Sequence, residues 1–282
     1  MMYKEKLDES VLDYFGLESK QQPDLDKWRD FLSRLKYPKR TVEIGLIGKY
    51  VELKDSYKSI TESFIHAGAA NEVEVKIRWI HSEHLTEKNA ASTCKGLDGL
   101  LVAPGFGERG FEGKVATVQY ARENKIPYFG ICYGMQAAVI EYARNVLGYT
   151  DANTTEVNPK TSKPVIALMD EQMHITDKGG TMRLGAQQCE LAEDSIARAA
   201  YGEAHITERH RHRYEFNNDF KDVLTEAGLK ATGINPDSGL VEIIEVEDHP
   251  FFVGVQYHPE YKSTVVKPHP LFVAFIKACD EF

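Results

Sequence analysis

The chain has 282 residues, a formal net charge of −9 and a 42% hydrophobic share, so it suits one large domain or a domain with an appendage, and wholesale disorder is excluded. The mixed, net-acidic charge argues against broad binding to nucleic acid or to an anionic membrane, and no apolar run reaches membrane-spanning length. Cys94, Cys132, Cys189 and Cys279 show no disulfide-like or zinc-type spacing; with a charged, polar start they point to free thiols in a cytoplasmic protein.

Residues 1–40 read differently from the rest. Leu25, Trp28, Phe31, Leu32 and Leu35 make a helical stripe over 24–36 that Pro23-Asp24 opens and Tyr37-Pro38 breaks, as in an appendage or linker. From Thr41 the pattern predicts a strand over 42–48, a helix over 56–70, strands over 73–80 and 97–103, a helix over 111–124, a strand over 126–131 and a helix over 134–146. This alternation implies an α/β fold, a largely parallel central sheet flanked by helices, with functional groups at the carboxyl ends of the strands. Residues 151–163 and 170–180 are polar and read as long loops. Extra short strands follow in the C-terminal half near 185–191, 204–213, 229–233, 239–246 and 251–256, before a closing helix over 270–279.

Three strand ends carry chemistry. Gly130-Ile131-Cys132-Tyr133-Gly134 has the form of a nucleophile elbow with cysteine as nucleophile; the flanking glycines relieve the crowding of a sharp strand-to-helix turn, and the helix N-terminus favours an anion. Gln256-Tyr257-His258-Pro259-Glu260 offers a base and, two residues on, a carboxylate to orient it. Ala103-Pro104-Gly105-Phe106-Gly107 could turn backbone N–H groups toward an oxyanion, with Tyr133 N–H as a second donor. Taken singly, each has a bland reading: a buried apolar cysteine, a His-Pro turn, an ordinary Pro-Gly turn. The run Arg209 to Arg213 reads as an exposed basic strand or, given its self-repulsion, as a polar pocket or interface.

Together these segments resemble the class I glutamine amidotransferases, with their flavodoxin-like fold, and among them the glutaminase domains of CTP synthases. The likeness extends to 48–53, Arg144-Asn145-Val146-Leu147-Gly148, Met182-Arg183-Leu184-Gly185 and Glu208-Arg209-His210-Arg211-His212-Arg213-Tyr214-Glu215, the last two being the most specific. The resemblance implies a triad of Cys132, His258 and Glu260, an oxyanion hole from Gly105 and Tyr133, and a glutamine site from Gly105, Phe106, Gln136, Glu156 and Arg213. It also implies a lid around Arg183, a coupling role for Lys58, and no metal or cofactor in this domain. Residues 1–40 resemble the tail and linker of an amidoligase domain preceding a glutaminase domain over 41–282. The longer enzyme would be a homotetramer using UTP, ATP and Mg, with GTP as allosteric activator. Pro104 stands where the family commonly has glycine and Tyr133 where it has leucine; proline has no N–H, so Gly105 must supply that donor. Other class I amidotransferases, a γ-glutamyl hydrolase and a non-catalytic regulatory or filament module are the rival readings.

Overall fold

The computed structural model describes residues 4–18, 23–168 and 182–282. In chain order it contains α1 (Leu7–Phe15), α2 (Asp26–Lys36), β1 (Arg40–Gly48), α3 (Lys58–Asn71), β2 (Val73–His81), α4 (Ala90–Cys94), β3 (Gly99–Val102), α5 (Phe111–Glu123), β4 (Tyr128–Ile131) and α6 (Tyr133–Asn145). There follow β5 (Asn153–Thr154), β6 (Pro164–Ala167), β7 (Arg183–Leu191), β8 (His205–His212), β9 (Glu215–Phe216), β10 (Leu229–Ile234), β11 (Val241–Val246), β12 (Phe252–Val255) and a closing helix, Pro270–Glu281.

Among the described residues, nine strands form one sheet in the order β2-β1-β3-β4-β12-β11-β10-β7-β8. The strands from β2 to β12 pair in parallel; from β12 to β8 every pairing is antiparallel. The C-terminal strands therefore extend the same sheet instead of forming a separate unit. β5, β6 and β9 make a small second sheet that the polar composition of 151–163 did not announce.

The parallel half is apolar on both faces because helices cover both. Leu100, Val102, Tyr128 and Phe252 pack with Val115, Val118, Val139 and Ile140 of α5 and α6. The alternate residues Leu101, Phe129, Ile131 and Val253 pack with Ile60 and Phe64 of α3 and Phe272 and Phe275 of the closing helix. This period of two sends each strand's residues to two cores and leaves its carboxyl end free for chemistry. Helix α2 sits on α3, with the Phe31 ring 6.1 Å from that of His66, while Trp28, Leu32 and Leu35 of its stripe stay exposed.

Candidate active site

The turn from β4 into α6 is strained at one residue. Cys132 has φ 51° and ψ −99°, a backbone conformation that L-residues avoid and that costs about 1–3 kcal/mol. Its N–H donates to Val255 O at 2.7 Å, tying the turn to β12. Close approach explains the flanking glycines: a Cβ on Gly130 would lie 2.8 Å from Gly134 C, and one on Gly134 would overlap the Val102 carbonyl. Backbone cannot yield as a side chain does, so Gly134→Ala should destabilise the fold by roughly 2–4 kcal/mol in denaturant titration. A loss below about 0.5 kcal/mol would show that the turn tolerates a side chain.

β12 lies beside β4 in parallel register, Val255 opposite Ile131, so the segments leaving the two strands emerge side by side. His258 follows β12, and Glu260 sits in the 3-10 turn Pro259–Tyr261. His258 Nδ1 pairs with Glu260 Oε1 at 2.8 Å, both groups buried. The Tyr261 ring stacks on the imidazole at 5.2 Å. This leaves Nε2 for Cys132, though it makes no hydrogen bond of ordinary geometry. Burial would push the imidazolium down, but the pairing with Cys132 and then with Glu260 outweighs it and raises the pKa to about 11. The imidazolium is thus held protonated opposite the sulfur.

The segment after β3 is pinned by side chains. Lys114 Nζ donates to Ala103 O and, at 3.4 Å, to Pro104 O; Lys49 Nζ donates to Phe106 O. Tyr133 Oη donates to Gly107 O at 2.6 Å, and Gly107 N–H donates to Glu156 Oε1 at 3.1 Å. Gly105 lies against Tyr133, whose ring carbon would be 3.6 Å from a Cβ there. Tyr133 N–H opens α6, where no intrahelical acceptor exists. Burial raises the Glu156 carboxyl against the opposing pull of Gly107 N–H, Lys49 and Arg213.

Of the predicted residues, Cys132, His258, Glu260, Gly105, Tyr133, Gln136, Glu156 and Arg213 converge. Gln136 is buried and donates to Tyr214 O at 2.9 Å and to Gln256 Oε1 at 3.2 Å, while Gln256 Nε2 reaches Cys132 Sγ at 3.6 Å. The Phe106 ring instead points outward, 70% exposed, with Lys49 Nζ 5.3 Å from its centroid as well as bonded to its carbonyl. Lys58 opens α3 at the rim of a cleft it shares with Pro104 and Glu260, paired with Glu62 at 2.6 Å. Arg183 is fixed in β7, 2.6 Å from Glu242, and the loop 170–180 before it lies outside the described residues. The Arg209–Arg213 run divides by face: Arg209 and Arg211 are exposed, while His210 and His212 are buried with Arg183, Glu215 and Glu242. Burial, with Arg183 nearby, pushes His210 down to about 3, so it is neutral beside these acids. Sequence reasoning missed Lys49, Lys114 and Gln256 as site residues. Only Gln256 carried a local signal, sitting two residues before His258.

No helix among the described residues is long and apolar enough to cross a membrane. The model of the class I glutamine amidotransferase family matches residues 52–278. A CTP synthase of Flavobacterium psychrophilum is 64% identical over 278 residues, 99% of this chain and 52% of that protein. One from Cytophaga hutchinsonii is 61% identical over 282 residues, again covering 52% of its length. The chain thus spans about half the length of the curated relatives it matches. A solved glutaminase domain of Trypanosoma brucei CTPS, with bound acivicin, superposes with a TM-score of 0.79 at 39% identity, covering 85% of this chain and 94% of that one. The chain belongs to the class I glutamine amidotransferases and, within that family, matches the glutaminase half of the CTP synthases.

Proposed function

We propose that this chain hydrolyses the side-chain amide of glutamine, with Cys132 as nucleophile, His258 as acid and base, and Glu260 orienting the imidazole. The observation that carries this is the strained Cys132 turn set beside a buried His258–Glu260 pair at adjacent parallel strand ends. The sulfur attacks the amide carbon, forming the C–S bond as the carbonyl electrons move onto oxygen, where Gly105 and Tyr133 N–H receive them. Collapse of that oxyanion breaks the C–N bond, and the imidazolium gives its proton to the departing ammonia. His258 then takes a proton from water, whose oxygen attacks the thioester; breaking the C–S bond releases glutamate and leaves the thiolate beside the imidazolium. Arg213 and Glu156 suit the carboxylate and ammonium ends of the substrate.

In a longer protein, residues 1–40 would be the tail and linker of an amidoligase domain and 41–282 the glutaminase domain. The ammonia would aminate a phosphorylated UTP to CTP, with ATP and Mg on the partner domain, GTP as activator through the Arg183 and Lys58 side of the site, and a homotetrameric assembly. The family relationship supports this part of the reading.

The test is mass spectrometry after incubation with 6-diazo-5-oxo-norleucine, with and without glutamine. A single adduct on Cys132, suppressed by glutamine, is expected. The other thiols serve as internal controls, since burial pushes Cys94 up to about 11 and raises Cys189 and Cys279 as well. Labelling that ignores Cys132, or that glutamine does not suppress, would overturn the proposal.

A further inference from the structure

Lys114 is a buried lysine with no ion-pair partner among the described residues. It lies on α5 with its side chain wholly enclosed, and none of the ion pairs among the described residues includes it. Its neighbours are the Ala103 and Pro104 carbonyls, the face of the Tyr133 ring at 5.1 Å, and the charges of Lys49 and Cys132. A buried ammonium is expensive, and a well-packed apolar residue of similar size commonly improves stability at such a position. Burial, reinforced by Lys49, pushes its pKa down to about 7. Stability therefore gives no reason for a lysine here, and the geometry supplies one. The peptide bonds of the described residues are all trans, so the Pro104 carbonyl and the Gly105 N–H share one plane and point in opposite directions. A group that holds that carbonyl fixes where the N–H aims. Pro104 makes this decisive, since it has no N–H of its own to offer.

We propose that Lys114 is a positioning residue for the oxyanion hole: by holding the Ala103 and Pro104 carbonyls beneath the turn, it aims Gly105 N–H at the amide oxygen of the substrate. This rests on the glutaminase reading above. It concerns the stabilisation of the attacked carbonyl and leaves the activation of the thiol to His258.

The test separates these two by chemistry. Acylation of Cys132 by an activated γ-glutamyl ester passes through an oxyanion; alkylation of the same sulfur by iodoacetamide displaces iodide from a saturated carbon and does not. Lys114→Met should slow acylation and glutamine turnover about 10²-fold, the effect of losing one oxyanion donor. KM for glutamine and the iodoacetamide rate should stay within about threefold, and the thermal midpoint should not fall. Lys114→Gln, which keeps a donor on a shorter chain, should recover part of the loss. Acylation by Lys114→Met within threefold of wild type would overturn the inference. So would a parallel fall in alkylation, or a lowered thermal midpoint with both rates reduced, which would make Lys114 a residue of the thiol or of the fold. A wild-type chain that alkylates but never acylates would instead overturn the glutaminase reading itself.

Discussion

Cys132→Ser lowers glutamine hydrolysis by about 10⁴–10⁶-fold and leaves the fold intact. The substitution keeps the Cβ, so the strained backbone at φ 51° is unchanged and the neighbouring glycines still clear the turn. What is lost is a sulfur that can carry negative charge opposite a buried imidazolium. A hydroxyl releases its proton far less readily, and nucleophile deletions in triad hydrolases reach this size because the remaining groups act only through it. The same variant should change His258. The sulfur is the leading influence holding the imidazolium up to about 11, so in Cys132→Ser the ring should titrate at a markedly lower pH by NMR. Hydrolysis within tenfold of wild type, or a His258 titration that does not move, would show that sulfur and ring are not paired.

Removal of the base gives the second large effect. His258→Asn should cut hydrolysis about 10²–10⁴-fold, the usual contribution of a positioned acid–base group. Stability follows the same pairing. The folded pKa of His258 lies above its unfolded value, so its contribution is complete below about pH 6.5 and is lost as pH rises through about 11. Hydrolysis by His258→Asn within tenfold of wild type would remove the ring from the acid–base role.

The parallel half was legible in the sequence because its strands are short apolar runs separated by helices of ordinary length, and each run ends in a turn residue that only a strand end requires. The elbow was readable for the same reason: Gly130 and Gly134 are demanded by backbone contacts, so a local motif reports a local constraint. His258 and Glu260 share one turn and could be paired by spacing alone. Lys49 and Lys114 could not. Their partners are carbonyls on a loop distant in sequence, and a single lysine in a glycine-rich or helical stretch carries no mark of burial. β5 and β9 escaped because two residues cannot establish a period. The outward turn of the Phe106 ring was likewise unreadable, since a Pro-Gly-Phe-Gly stretch leaves the side-chain direction open.

The parallel pairing of β4 with β12 has a consequence for how such a protein can diversify. The spacing between sulfur and imidazole is set first by two hydrogen-bonded strands in fixed register; of the long stretch that joins α6 to β12, β11 flanks β12 and Arg209 O accepts from His258 N–H at 2.8 Å. Insertions, deletions or exchanged segments in the loops of that stretch leave the reacting atoms where they are, provided β4 and β12 still pair and β8 and β11 keep their places beside them. One catalytic core can therefore be fitted with different control elements without being rebuilt. Chimeras that exchange the stretch between family members should keep the chemistry of the core and take on the regulation of the donor.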